Sequence, residues 1–425
     1  MRKRVSVLIS ALTAGLTAIG CGMLPQDSGT INAAESGKKL IALTFDDGPN
    51  TTTTNDVLDL LAEYDAKASF FLIGDNISSA SAASVKRAYD MGMEIDNHSK
   101  THSNMSKMTA AEMQAEIEFV DEKVVEITGE HTKFFRPPFI DVSAAMYEAI
   151  DLPFICGIDC QDYMANVTAQ ERADYILNGA KDGVIVLLHD AAGNQQTVDA
   201  LKIAMPELVR QGYEFVTLTE LFERQGETPK KNILYSNVAK YPQEYAPKET
   251  VSADASDRAA LDPKLLQSLG KGYAVETEYE SATGYPPVIA LQKWSGSPTI
   301  WHTIQPYYFN GEKAVFLAED IQSALEQLEV GLDDLDGVQL TAYSGEITLR
   351  NVRILTKTDS GEPDETVKGD VNADGVCDIA DAVLMHKSLL TVPDAKLADW
   401  KAGDLNADGK LTAADLTLIK KLLMQ

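Results

Sequence analysis

Thr44-Phe45-Asp46-Asp47-Gly48-Pro49 is the stretch whose reading decides the fold. Before it runs Lys39-Leu40-Ile41-Ala42-Leu43, a short apolar run that reads as a buried parallel strand. After it come Asn50, the threonines 51–54, and a helical pattern of Val57, Leu58, Leu60 and Leu61. Two adjacent carboxylates therefore stand where a strand ends and a loop begins, which is where α/β folds gather their chemistry. Neighbouring side chains on an extended backbone diverge, so one acid can bind a cation while the other stays free as a base. The same residues also make an ordinary turn with capping acids; the surroundings decide between the two.

Those surroundings alternate. Short apolar runs at 40–45, 68–73, 93–96, 133–136, 154–158, 184–188 and 215–218 are separated by amphipathic stretches such as 110–127, 169–180 and 198–210. This predicts a parallel α/β fold, either a barrel or a doubly wound sheet. Polar clusters follow the strands. Asn97-His98-Ser99-Lys100-Thr101-His102 follows the third, and histidines at i and i+4 can face one metal if the segment turns like a helix. Phe135-Arg136-Pro137-Pro138-Phe139 follows the fourth, Asp159-Cys160-Gln161-Asp162-Tyr163 the fifth, and His189-Asp190 the sixth. Taken singly, each has a plainer reading: a polar helix face, a surface ion pair, a stiffened loop, turn acids, a satisfied core histidine. Taken together they all fall at one edge of the sheet, whereas unrelated polar residues would spread over both ends.

The rest of the chain is organised differently. Residues 225–231 read as a linker. Over 232–355 the alternation gives way to strands at 273–280, 288–293, 299–304, 314–317, 337–341 and 347–354 with one helix at 321–328, a β-rich module expected to be a sandwich. Its Trp294, Trp301, Tyr307 and Tyr308 either stack on sugar rings or fill the core, and tryptophans seven apart on one flat strand would face opposite ways. Residues 356–366 read as a second linker. Beyond it Gly369-Asp370-Val371-Asn372-Ala373-Asp374-Gly375 recurs as Gly403-Asp404-Leu405-Asn406-Ala407-Asp408-Gly409, each copy leading into a short helix, 382–390 and 416–424. Asp370, Asn372, Asp374, Val376, Asp378 and Asp381 fall at positions one, three, five, seven, nine and twelve of a calcium loop with Gly375 at six. Asp404, Asn406, Asp408, Lys410, Thr412 and Asp415 repeat the pattern around Gly409. Two Ca2+ ions are expected.

A formal net charge of −27 over 425 residues argues against binding nucleic acid or an anionic membrane, since both need clustered Lys and Arg. Met1-Arg2-Lys3-Arg4 and the apolar residues 5–19 read as a secretory signal ending near residue 34. A lipoprotein-type cleavage before Cys21 is the alternative. No other stretch is long enough to span a membrane. The remaining Cys156, Cys160 and Cys377 are odd in number and predict free thiols.

The ordered set 44–49, 98–102, 136–139, 159–163 and 187–190 resembles the five motifs of the polysaccharide deacetylases, carbohydrate esterase family four, over residues 38–224. The resemblance implies a distorted (β/α) barrel and a divalent metal, zinc with cobalt as an alternative. It makes Asp47, His98 and His102 the metal ligands, Asp46 the general base and His189 the general acid. Arg136 would pair with Asp46, Asp162 would hold His189, and the backbone N–H of Phe139 would face the developing oxyanion. The chain departs from the family in three places: Ile140 stands where glycine is frequent, Tyr163 where tryptophan is usual, and Cys156 where a groove-lining tryptophan is common. Residues 367–425 resemble a type I dockerin, the module that docks enzymes onto a cohesin-bearing scaffold. By that resemblance Ile379, Ala380, Ala413 and Ala414 face the partner. The combined expectation is a secreted, scaffold-docked esterase removing O-acetyl groups from an acetylated plant polysaccharide, most readily xylan. The alternatives are an N-deacetylase of chitin-like glycan or peptidoglycan, and an inactive glycan-binding protein.

Overall fold

The computed structural model describes residues 38–268, 272–295, 298–358, 368–372, 376–390, 392, 395, 397–398, 400–406 and 409–423. The expected signal segment 1–34 with Cys21, residues 359–366 of the second linker, and Asp374 and Asp408 lie outside the described residues.

The quoted stretch closes β1 (Lys39–Asp46), which is buried along almost all its length. Parallel neighbours flank it: β2 (Ala68–Leu72), β6 (Val184–His189) and β7 (Tyr213–Phe215), with β3 (Glu94–Asn97) beyond β2 and β5 (Ile158–Asp159) beyond β6. A second parallel pair, β4 (Phe154–Ile155) and β8 (Leu234–Tyr235), closes the ring. Phe135 bridges β3 to β4, and the carbonyl of Ser236 accepts from the amide of Ile185 in β6. The result is the expected barrel-like parallel sheet, distorted because three of its staves, β4, β5 and β8, are only two residues long.

Helices α1 (Thr53–Glu63), α2 (Ala82–Asp90), α3 (Ala110–Thr128), α4 (Ala144–Ala149), α5 (Ala169–Gly179), α6 (Gln195–Arg210) and α7 (Leu218–Gln225) connect the strands. Thr109, Thr168 and Thr217 begin α3, α5 and α7, each in a reciprocal capping box with Glu112, Glu171 or Glu220 three residues on. The last of these caps corrects the strand expected over 215–218: the box turns the chain into helix at Leu218. The strand expected over 154–158 is two strands, broken at Gly157, whose φ of 97° side chains rarely adopt. That over 133–136 is reduced to the bridge at Phe135.

The period of two along β1 sorts its side chains. Ile41, Leu43 and Phe45 pack with Val57, Leu58 and Leu201 of the helical layer. Leu40 and Ala42 point the other way, into a cluster with Ile185 and Phe222 that continues without a break into Val275, Ile304 and Phe316. These last belong to the β-rich module, so 225–231 does not separate independent bodies, and β8, beyond that expected linker, belongs to the barrel sheet. The module itself is two antiparallel sheets. One comprises β9 (Tyr245–Ser252), β11 (Tyr273–Ser281), β14 (Tyr308–Phe309), β15 (Lys313–Leu317) and β17 (Ile347–Lys357). The other comprises β10 (Arg258–Ala260), β12 (Pro287–Lys293), β13 (Ile300–Ile304) and β16 (Gly337–Ala342). Helices α8 (Pro263–Ser268) and α9 (Ala318–Gln327) accompany them. Strands β9 and β10 were not legible in the sequence: β9 faces solvent along most of its length and lacks an apolar run. The sequence left open whether Trp294 and Trp301 share a platform, and the structure brings them together. They lie at the ends of adjacent antiparallel strands, both more than half exposed, with ring centroids 5.8 Å apart. Tyr308 is buried and Tyr307 packs beside it, so those two serve the core.

At the C-terminal end, α10 (Ile379–Leu389) and α12 (Ala413–Leu422) pack around Met385 and Ile419, with α11 (Trp400–Gly403) between them in sequence. Both start earlier than expected because Asp378 and Thr412 cap them, accepting from the amides of Ala380 and Ala414. Among the described residues no helix is long and apolar enough to cross a membrane.

Candidate active site

The register of β1 against β6 sets Asp46 beside His189. The inward face of β1 reads Leu40, Ala42, Thr44, Asp46, apolar at its base and polar at its C-terminal end; that of β6 reads Ile185, Leu187, His189. His98 follows β3 and Arg136 follows the bridge at Phe135, so the polar ends converge at one rim of the barrel. Asp46, Asp47, His98, His102 and His189 line a cleft of ≈ 690 Å³ together with Phe139, Cys156 and Tyr163. Part of its wall comes from the β module, through Tyr285, Pro286, Gln305 and Tyr343.

Arg136 is fully buried. Its Nη1 lies 2.6 Å from Asp46 Oδ1, its Nη2 donates to Thr44 Oγ1 at 2.7 Å, and its guanidinium lies over the Phe71 ring. Burial by itself would raise the Asp46 carboxyl; the charge of Arg136, helped by His98 and His189, outweighs it and holds the group below its ordinary value. Asp46 is thereby kept ionised, with its second oxygen 3.6 Å from His98 Nε2.

Asp47, His98 and His102 offer one ligand atom each within 4.8 Å of one another. His98 Nε2 and His102 Nε2 lie 3.7 and 3.6 Å from Asp47 Oδ1, a buried oxygen with no hydrogen-bond partner. The Nδ1 of His98 donates to the carbonyl of Arg136 at 2.7 Å, which leaves Nε2 as the lone-pair nitrogen facing that oxygen. An orphaned carboxylate oxygen between two imidazole nitrogens, one of them with its tautomer set from behind, is a fitting donor set for a divalent cation with open positions.

His189 is held by Asp162, whose Oδ1 accepts from Nδ1 at 2.7 Å and whose Oδ2 accepts from the backbone amide at 2.7 Å. Thr197 donates a third bond to Asp162 at 2.8 Å, and Arg172 a bond to Thr197. Burial would lower the imidazole; the bond to Asp162 and its charge outweigh that and carry it up to about 9. His189 therefore stays protonated through neutral pH.

Six of the non-glycine residues with left-handed backbone lie in these loops: Asp47, Ser99, His102, Phe139, Ile140 and Gln161. Each costs on the order of 1–3 kcal/mol and persists only where the surroundings over-determine it. Gly48 shows how tightly the first loop is held. A Cβ there would meet Asp190 Oδ2 at 2.6 Å, and Asp190 takes bonds from the Thr54 hydroxyl and donates its amide to the Asp46 carbonyl. Burial pushes the Asp190 carboxyl up to about 7.

All eight residues expected to act in this domain therefore meet at one rim. Phe139 is exposed, with its ring edge-on to His102 at 4.6 Å, and Tyr163 stands beside His189 at 5.7 Å. Cys156 and Cys160 are free thiols, and burial pushes that of Cys156 up to about 12. Sequence reasoning gave no role of its own to Thr44, whose hydroxyl accepts from Arg136, and passed over Thr197 and Arg172, which support Asp162. It also passed over the β-module wall, which is distant in the chain. In the repeated loops, Asp381 and Asp415 are buried and accept amides of their own loops, Val371, Asn372 and Asp378 in one, Asn406 and Thr412 in the other. Asp370 is buried, and the amide of Gly409 donates to Asp404. Ile379, Ala380, Ala413 and Ala414 are exposed in the first turns of α10 and α12.

Comparison with known proteins bears on this arrangement. The description "Polysaccharide deacetylase" matches residues 33–153, and "Dockerin type I domain" matches 368–424. A bifunctional xylanase/deacetylase of Pseudobutyrivibrio xylanivorans is 48% identical over 202 residues, covering 47% of this chain and 33% of that protein. A peptidoglycan-N-acetylglucosamine deacetylase of Bacillus cereus is 36% identical over 193 residues, 44% of this chain and 89% of that one. Among solved structures, a family 4 acetyl xylan esterase from Clostridium thermocellum, in complex with a cobalt ion, is 39% identical over 47% of this chain and 99% of that one, with a TM-score of 0.46. The chain thus spans about a third of the length of the first of these relatives.

Two outcomes follow from the geometry. Asp46→Asn should lower turnover by about 10²–10⁴-fold while a divalent metal stays bound, because the amide removes only proton acceptance. His102→Ala should lose both, as read by metal analysis after dialysis, and loss of metal from Asp46→Asn would reverse the roles of the two acids. The acid form of His189 is lost as pH rises through about 9. Asp162→Asn removes the charge that raises it, so the alkaline limb of the kcat/KM profile should move down by about one pH unit or more; an unmoved limb would exclude His189 as the acid.

Proposed function

We propose, for a chain that belongs to the polysaccharide deacetylase family and ends in a type I dockerin domain, a metal-dependent esterase that removes O-acetyl groups from acetylated xylan. One juxtaposition carries this reading: an ionised Asp46, a protonated His189 and the Asp47, His98, His102 donor set line one cleft. A divalent cation held by those three, zinc in this proposal, supplies Lewis acidity toward the acetyl carbonyl and acidifies water. Asp46, kept ionised by Arg136, takes a proton from the attacking water as its oxygen bonds the acetyl carbon. The backbone N–H of Phe139 faces the charge that develops on the carbonyl oxygen. His189, braced by Asp162, gives its proton to the sugar oxygen as the ester C–O bond breaks, and acetate leaves.

Xylan is favoured by the name of the Pseudobutyrivibrio relative and by the dockerin, which implies a cohesin partner, bound calcium and an extracellular assembly. In this reading the chain is secreted and Ile379, Ala380, Ala413 and Ala414 meet the cohesin. The Bacillus relative favours the second reading, an N-deacetylase of peptidoglycan or chitin-like glycan, with the same residues in the same roles. Acetate release measured side by side on acetylated xylan, chitin oligomers and peptidoglycan fragments separates them. Release from xylan at least tenfold faster is expected, and faster release from either amide substrate would replace the first reading by the second.

The paired Trp294 and Trp301, their rings inclined by 32°, give the β module an exposed aromatic face, supporting glycan binding there as well. Trp301→Ala should then cut depletion of the protein onto insoluble xylan several-fold. Unchanged depletion would leave the pair without that role.

A further inference from the structure

The wall that the β module contributes to the cleft is built, not incidental. The turn at 283–285 between β11 and β12 is tied to the barrel at three consecutive residues. Tyr147 of α4 donates its hydroxyl to the carbonyl of Thr283 at 2.9 Å, the amide of Leu234 in β8 donates to Gly284, and Tyr285 donates its hydroxyl to the carbonyl of Ile140 at 3.1 Å. Gly284 has a φ of 72°, and a Cβ there would lie 2.2 Å from the Tyr147 hydroxyl, so no side chain fits between turn and helix. A second turn, between β16 and β17, is fastened to the first: Thr283 donates its hydroxyl to the carbonyl of Ser344 at 3.1 Å. That turn carries Tyr343, whose ring lies 5.4 Å from that of Tyr285 at 42° and whose surface is 53% exposed.

Both tyrosines line the same cleft as Asp46, Asp47 and His189. The cleft is far larger than an acetyl group and falls in the range that encloses a ligand of several rings. Tyr285 is the underlying ring, its hydroxyl spent on the loop that holds Phe139 and Ile140. Tyr343 is the one open to solvent, held at a fixed height by the Thr283 bond. A half-exposed aromatic ring, backed by another ring and fixed inside a reaction cleft, presents the kind of flat apolar surface that the C–H face of a pyranose covers. The polar groups that share the cleft with it belong to the reaction.

We propose that Tyr343, carried by the β module and backed by Tyr285, stacks on a sugar ring next to the one that bears the acetyl group, so that the polysaccharide is gripped between barrel and module. The site rests on the deacetylase reading above. Tyr285 is a positioning residue: through Ile140 it steadies the left-handed loop whose amide faces the reacting carbonyl. The module is then part of the catalytic site, and polysaccharide length is sensed within the cleft.

The full chain, loaded with metal, is compared on acetylated xylo-oligosaccharide and on 4-nitrophenyl acetate, which has no neighbouring sugar. Tyr343→Ala should lower the ratio of kcat/KM for the oligosaccharide over the aryl ester about tenfold, through KM, and Tyr343→Phe should restore it because the ring face is kept. Tyr285→Phe should lower kcat on both substrates several-fold with the ratio kept. A ratio unmoved by Tyr343→Ala, or a loss equal on both substrates, overturns the stacking role; an unchanged kcat in Tyr285→Phe overturns the brace. A wild-type chain that releases acetate from neither ester fails the esterase reading itself, and the proposal with it, which is a different result from wild-type activity with an unmoved ratio.

Discussion

A guanidinium with no access to water is the constraint around which the barrel is arranged. Arg136 sits inside the rim, and its charge is met by the Asp46 carboxylate, the Thr44 hydroxyl and the face of Phe71. Removing one member of such a buried pair typically costs about 3–5 kcal/mol, because the other is left charged and unpaired. The same residue works through its backbone. Its carbonyl sets the His98 tautomer, and its amide bonds the carbonyl of Asn97 at the end of β3. One buried cation thus couples the proton-accepting carboxylate, a candidate metal ligand and the path of a strand. The stability of the rim and the chemistry of the site are for that reason hard to separate.

Alternation along the strands explains why the site can lie inside the barrel without hollowing out its core. Beyond the exposed Lys39 at the start of β1, the outward side chains of β1 and β6 are apolar and pack on helices. The inward ones change from Leu40, Ala42 and Ile185 at the base to Thr44, Asp46 and His189 at the rim. The apolar base is covered by the β module, whose Val275, Ile304 and Phe316 extend the same cluster. With the module seated against the barrel, its turns at 283–285 and 343–345 reach the rim and complete the cleft. What looked in sequence like an appended accessory is a wall of the site.

The left-handed residues concentrated in the loops are the cost of convergence. Asp47, His102, Phe139 and Ile140 present their groups from backbones that side chains rarely adopt. Each is held by specific partners: Asp190 packed on Gly48, Ser99 accepting the His102 amide, Tyr285 bonded to Ile140. Ile140 is instructive, since a β-branched residue at a φ of 51° has no local reason to stay there. Its brace comes from a residue far along the chain.

Much of this protein was readable from its residues alone. Short apolar runs with acids and histidines at one end announced a parallel α/β unit and its working rim, because strand length, burial and polarity are local properties. The same is true of the duplicated acidic loops. Sequence could not show that the strand over 154–158 breaks at Gly157, that Phe135 contributes one bridging residue, or that β8 closes the ring beyond an expected linker. Those outcomes depend on which distant backbone groups remain to be paired. Nor could spacing within the chain pair Trp294 with Trp301, or place Tyr285 and Tyr343 in one cleft with Asp46. Adjacent antiparallel strands bring distant residues side by side, and only the packing of one apolar base against another decides which turn overhangs the site.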